Sequence, residues 1–169
     1  MILRAHEAGG TRSEALYSRC GQYRYRLTRA WGAGPVLVWI MLNPSTATEE
    51  RNDPTIARCE GRARRGGFGG VEILNLFAFR ATRPADLRQV GDPVGPGNGA
   101  VVLEGAARAG MILCGWGVHG ALQGEGARMR SALLDRGLVL HTLGLTKAGD
   151  PRHPLYVGNA VVPQLWPAG

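Results

Sequence analysis

The sequence predicts a three-layer α/β/α sandwich with a mainly parallel central sheet, and three observations carry that expectation. Residues 36–42, Val-Leu-Val-Trp-Ile-Met-Leu, form a continuous apolar run, as expected of a strand covered on both faces. Asp53-Pro54 opens a helix-patterned stretch that stops at Gly66-Gly67. Beyond it, short apolar runs alternate with helical stretches of about 10 to 15 residues, the order that builds parallel βαβ units. Right-handed crossovers follow from strand twist.

Taken in order, residues 1–20 read as a loosely packed lead-in to a single domain spanning 1–169. Residues 23–31 alternate loosely between Tyr, Arg and apolar positions and read as a half-exposed strand at a sheet edge. After the turn at 32–35 comes the buried run 36–42, closed by Asn43-Pro44. In the helix after Asp53, Ile56, Cys59 and Ala63 share one side. Arg58, Arg62 and Arg65 recur at helical spacing as a second, cationic stripe, either a solvated face or a phosphate-contacting one. Residues 71–79 form the next strand, interrupted by Asn75, and 84–88 a short helix. The Gly- and Pro-rich stretch 91–98 is a loop. A helix at 98–108, a strand at 111–114, a helix at 121–136 and a last strand at 138–143 complete the pattern. The loop that follows carries Lys147 and His153.

Composition narrows the function classes. A chain of 169 residues, 44% hydrophobic and 20% charged, suits one soluble domain with its own core. No apolar stretch approaches the ~20 residues that span a bilayer, and residues 1–10 lack a signal-peptide core. Cytoplasmic residence is expected, with no membrane partner. Cys20, Cys59 and Cys114 are widely spaced and read as free thiols, so no metal is expected. No organic cofactor or obligate protein partner is expected either. The net charge of +7 favours a polyanionic partner. Lys147 is the sole lysine, and every other basic residue is arginine, whose planar fork suits phosphate and base edges.

The phosphate loop, nucleophile elbow and zinc-protease helix are all absent. Two loops remain: Leu42-Asn43-Pro44-Ser45-Thr46 and Pro151-Arg152-His153-Pro154-Leu155-Tyr156. Each follows an apolar strand, and in open α/β sheets ligands bind outside the carboxyl ends of such strands. Asn43 can hold a water by accepting and donating at once. A neutral His153 can donate to an oxygen that gains negative charge during bond cleavage. Together they suit hydrolysis of a glycosidic C–N bond with a departing base. Ser45 can add a hydroxyl donor or cap the local backbone. Phe77 and Phe79 either offer a base an aromatic face or belong to the core. His141, within a strand, reads as a core histidine. Lys147 is either solvated or a contact to phosphate or to an exposed sugar aldehyde.

Several blocks appear in a fixed order: 41–47, Met-Leu-Asn-Pro-Ser-Thr-Ala; 52–55, Asn-Asp-Pro-Thr; 75–82, Asn-Leu-Phe-Ala-Phe-Arg-Ala-Thr; 92–96, Asp-Pro-Val-Gly-Pro; Gly115-Trp116-Gly117; and 144–147, with 151–156. Together they closely resemble the bacterial family called domain of unknown function 1643, from about residue 23 to the carboxyl end. More distantly, the order of a strand with an Asn-Pro loop, a strand ending in Asn and a late His-Pro loop resembles the uracil-DNA glycosylase superfamily. That resemblance implies its sandwich fold, with Asn43 positioning the attacking water and Asn75 reading the base edge. It further implies that His153 stabilises the leaving base and that Leu155 wedges into the base stack. Met41 and Ser45 stand where that superfamily has glycines, and Leu155 where it has a serine.

The leading expectation is a DNA glycosylase-like enzyme that hydrolyses the N-glycosidic bond of a damaged or modified base, with DNA favoured over RNA as partner. Asn43 and His153 are the expected catalytic residues, with Asn75, Phe77 and Ser45 against the base. Arg58, Arg62, Arg65, Arg80, Arg152 and Lys147 are the expected phosphate contacts. The alternatives are an N-glycosidase acting on a free nucleoside or nucleotide and a non-catalytic reader of modified nucleic acid.

Overall fold

The computed structural model describes residues 1–169. One sheet of eight strands organises it. In chain order the strands are β1 (Ile2–Ala8), β2 (Thr11–Tyr17), β3 (Arg24–Ala30), β4 (Val36–Met41), β5 (Gly70–Asn75), β6 (Met111–Cys114), β7 (Leu140–Thr142) and β8 (Gln164–Trp166). The helices are α1 (Pro54–Arg65), α2 (Asn98–Ala107) and α3 (Glu125–Leu134), with 3-10 turns at Pro84–Gln89, Val118–Gly124 and Pro154–Tyr156.

The spatial order is β1-β2-β3-β5-β4-β6-β7-β8. Strands β5, β4, β6 and β7 run parallel to one another, whereas β1, β2, β3 and β8 attach antiparallel. The expectation of a mainly parallel sheet is therefore corrected: the parallel part is confined to the four strands that alternate with helices. The β1–β2–β3 part is antiparallel because its short connections cannot return a chain parallel to itself, and β8 adds a further antiparallel strand after a long connection.

β4 shows why the middle of the sheet is doubly covered. Its residues alternate in side with period two. Leu37, Trp39 and Met41 join Ile56, Cys59 and Ala63 of α1 in one buried cluster. Val38 and Ile40 join Val102 and Ala106 of α2 and Met129 and Leu133 of α3 in the other. Each such large aliphatic side chain contributes about 1.5–3 kcal/mol on burial. An uninterrupted apolar strand is the only pattern that feeds both cores at once.

Residues 2–17 are strands and not a loose lead-in. Gly9 and Gly10, with φ of +55° and +73°, form a two-residue hairpin loop that joins Ala8 to Thr11 in register. β2 then pairs with β3 and sends Ala15 and Tyr17 into the core. This places β3 inside the sheet, between β2 and β5, and not at an edge. β1 is the edge strand, exposed along its whole length.

α1 begins as its sequence predicts. The Asp53 carboxylate accepts the Ile56 N–H at 2.8 Å, and Pro54 occupies the first helical position. Its other oxygen accepts the Ala47 N–H at 3.4 Å, tying the loop after β4 to the helix start. Asp53→Ala is expected to lower stability by about 1 kcal/mol. Thermal melting should then show a midpoint roughly 2–4 °C lower.

Candidate functional site

A cavity of about 600 Å³ opens at the carboxyl ends of the parallel strands, within the roughly 300–1,000 Å³ of small-molecule sites. Its location follows from topology. The connection from β4 to β5 passes through α1 on one face, and the route to β6 passes through α2 on the other. The connections leaving the adjacent strands β4 and β6, through α1 and α3, thus cross opposite faces, and a crevice forms where they part.

Four loops build the walls. Asn43 and Ser45 follow β4, Asn75 ends β5, Trp116 and Gly117 follow β6, and Thr146, Arg152, His153, Leu155 and Tyr156 follow β7. Backbone bonds fasten the loops in pairs. Leu76 N–H donates to Met41 O and Phe77 N–H to Leu42 O, each at 2.9 Å, while Ala81 N–H reaches Pro44 O. On the other side Gly117 N–H donates to Pro151 O at 2.8 Å. Gly115 makes this second joint possible. A Cβ there would lie 2.9 Å from the Trp39 ring and 3.2 Å from Pro154.

Asn43 and His153, 110 positions apart in sequence, line the same cavity. Their chemistry is fixed by the backbone around them. Both amide hydrogens of Asn43 are used, one on Pro44 O at 2.9 Å and one on Ala81 O at 2.7 Å. Asn43 therefore cannot accept and donate to a water at once, as the sequence alone suggests; only its Oδ1 remains for a ligand. At His153, Nδ1 accepts the Leu155 N–H at 3.3 Å. The neutral ring then carries its proton on Nε2 and presents a donor. Burial lowers the His153 pKa below its ordinary 6.5, and the nearby Asp53 carboxylate only partly offsets this.

That shift has a consequence for stability. The unfolded chain takes up a proton at His153 near pH 6.5, while the folded chain resists it. Stability from this group is complete above pH 6.5 and falls as pH drops through that value. Thermal melts between pH 7.5 and pH 5 should slope downward, and His153→Asn should reduce the slope. Asn retains an acceptor for the Leu155 N–H and has no titration in this range.

Asn75 is 2% exposed, yet its Nδ2 has no partner. Asn98 Nδ2 holds the Asn75 and Leu76 carbonyls at 2.9 and 3.0 Å, which fixes the strand end beneath it. Ser45 is half-buried and lines both the cavity and an adjoining open groove. Phe77 is not at the site: it is fully buried in the core on the α2 face, because β5 continues one more apolar step before its chain turns outward. Leu155 is half-buried in the cavity wall, whereas the adjacent Tyr156, 77% exposed, projects at the mouth and packs near the His153 ring.

The expected phosphate contacts separate into groups. Arg58 donates to Val157 O at 3.1 Å, and Arg62 to Val161 O and Gly158 O, each at 2.7 Å. These two side chains do not form a simple solvated face; they hold the segment beyond the His153 loop against α1. Arg65 lies exposed at the end of α1, and Lys147 is exposed outside the cavity wall. Arg152 lines the cavity and donates to Tyr156 O at 3.1 Å. Arg80, with Arg51, lines the adjoining groove of about 510 Å³, which shares Ser45, Thr46, Ala81 and Thr82 with the cavity.

Among the cavity residues the sequence reading misses are Arg24, Trp116 and Asp53. Arg24 is 1% exposed and lies in the wall, although a Tyr-Arg-Tyr-Arg alternation looks half-solvated. Trp116 is buried there, seated by glycines at 120 and 126, where a Cβ would meet its ring at 2.1 and 2.8 Å. Asp53 reads correctly as a helix cap but also faces the cavity. No group of three or more His, Cys, Asp or Glu side chains is placed to hold a metal ion. No helix is long and apolar enough to cross a membrane.

Fold and cavity together define a mixed α/β protein with a ligand-sized cleft at a topological switch point. The chain belongs to the family described as protein of unknown function (DUF1643), whose sequence model matches residues 24–155. That span covers β3 through the His153 loop and leaves out β1, β2 and β8. Comparison with curated proteins and with solved structures gives no significant match.

Proposed function

We propose that the cavity is the active site of an enzyme that hydrolyses the N-glycosidic bond of a damaged or modified base, with DNA as the preferred substrate. One observation supports this above the others. A lone acceptor, Asn43 Oδ1, and a lone donor, His153 Nε2–H, line one cleft beside the unpartnered amide of Asn75. In this reading the sugar C1′–N bond breaks and its electron pair leaves with the base. The base carbonyl oxygen gains charge and takes a hydrogen bond from His153. A water held through one hydrogen on Asn43 Oδ1 adds to C1′, and the proton it releases ends on the departing base by way of solvent. Asn75 Nδ2 reads an acceptor on the base edge. The distant likeness to the uracil-DNA glycosylase superfamily points the same way.

In duplex DNA the base must first be flipped out, at a cost of a few kcal/mol that is lowest at mismatches. The groove past Arg51 and Arg80 offers a path for the flanking strand. The commitment of Arg58 and Arg62 to backbone carbonyls favours a second reading, a nucleotide N-glycosidase that needs no long basic track. Labelled oligonucleotides bearing uracil, hypoxanthine or alkylated bases, assayed for abasic sites alongside the matching free nucleotides, test both. Abasic sites whose yield falls steeply with salt support action on DNA. Cleavage of free nucleotides alone supports the second reading, and no base released from any substrate rejects both.

A further inference from the structure

Arg24 has no task in the chemistry above. It opens β3, is 1% exposed, and contributes to the cavity wall. The structure gives it one hydrogen bond, from Nη1 to the Ala47 carbonyl, and leaves its Nε buried without a partner. None of the ion pairs in the protein includes it. Its charged surroundings compensate it only in part, since the Asp53 carboxylate favours its charge while Arg29 and Arg80 oppose it. The Asp53 carboxylate lies near, with its oxygens already on the Ile56 and Ala47 amides. The Tyr17 hydroxyl donates to Glu49 at 2.8 Å, and Arg29 and Arg80 add charge of the same sign. Burial lowers the Arg24 pKa to about 10, so the guanidinium stays charged at neutral pH.

A buried charge without an ion-pair partner is costly, and a planar guanidinium in a cleft wall with N–H groups the protein leaves unused is suited to receive an anion. The first turn of α1, through Thr55 and Ile56, lines the same cavity, and its positive dipole end is already capped by the Asp53 carboxylate, which leaves Arg24 as the main attraction for an anion. We propose that Arg24 is an anion subsite of this cavity and binds a phosphoryl oxygen of the substrate. The ligand is then a nucleotide, free or within a strand, and not a nucleoside or free base. The choice of phosphoryl over carboxylate rests on the N-glycosidic reading; the anion subsite itself stands on the geometry of Arg24.

Calorimetric titration with deoxyuridine and deoxyinosine, their 5′-monophosphates and a short single-stranded oligonucleotide tests this. At least one phosphate-bearing probe should bind tenfold or more tightly than its nucleoside, with inorganic phosphate competing. Arg24→Met should erase that ratio, and Arg24→Lys, which keeps the charge without the fork, should retain part of it. Thermal melts establish that the variants fold; if the Met variant does not, the Lys variant and the wild-type ratio decide. A preference carried by the free monophosphates identifies a free nucleotide, and one seen only for the oligonucleotide identifies a strand phosphate. Equal affinity for nucleoside, monophosphate and oligonucleotide overturns the proposal, as does a ratio unchanged by Arg24→Met. The two readings fail separately. A phosphate preference without base release rejects the glycosidase reading alone, and base release without that preference rejects the Arg24 subsite alone.

Discussion

Asn43→Ala is expected to cut base release by about 10²–10³-fold, the usual effect of removing one positioned polar group from a transition state, with substrate affinity changed only a few-fold. The asymmetry follows from the side chain's commitments. Asn43 lines the cavity with its Oδ1 uncommitted, while its two N–H groups lock it to Pro44 and Ala81. Asn43→Asp supplies an internal control. It keeps an acceptor toward the water but sets a carboxylate oxygen against two carbonyls, so it should lose activity and also lower the melting temperature. Single-turnover rates, binding and thermal melts on the same preparations separate these effects. Equal loss of binding and rate in Asn43→Ala would assign Asn43 a merely adhesive role.

His153→Asn is expected to produce a loss of similar size, about 10²–10³-fold, for a different reason. Asn can accept the Leu155 N–H in place of Nδ1 and so preserve the loop. It lacks the reach of Nε2–H. His153→Gln, whose amide nitrogen lies nearer the Nε2 position, should retain more activity than His153→Asn. The wild-type rate should hold steady as pH falls through 6.5, because burial keeps the ring neutral there. At lower pH, protonation of Nδ1 must displace the Leu155 N–H, so activity should decline in a lower pH range than the one where stability begins to fall. A pH–rate profile on each variant measures this directly.

Which parts of the molecule were legible in the sequence has physical reasons. β4, α1 and the positions of Asn43 and His153 follow from strong local signals: an unbroken apolar run, an Asp-Pro helix start and two Pro-stiffened loops. The cleft that unites the loops follows from the general rule for the carboxyl ends of parallel strands. The edges of the sheet were not legible. β1 is wholly exposed and β8 is three residues long, so neither carries a burial pattern. Gly9-Gly10 was a readable hairpin signal, but it is flanked by strands with too little alternation to support it. Misplacing β2 made β3 look like an edge, and an edge strand with arginines looks solvated. Hence the buried state of Arg24 was hidden.

The arginines of α1 illustrate the same limit. Spacing places Arg58, Arg62 and Arg65 along one stripe, yet it is silent on what covers that stripe. The covering segment, 157–161, lies about a hundred positions away and offers bare carbonyls, for which arginine forks are suitable donors. Phe77 failed as a base platform for a complementary reason. Past Asn75, the chain stays bonded to β4's extension through Leu76 and Phe77, so the ring remains in the core.

A crystal structure of the protein with free uracil or hypoxanthine and an abasic sugar in the cavity is the most direct measurement. The account predicts a base carbonyl within hydrogen-bond distance of His153 Nε2, the base edge against Asn75 Nδ2, and C1′ on the Asn43 side. A base bound outside the cleft, or bound within it with its carbonyls turned away from His153, would contradict the account.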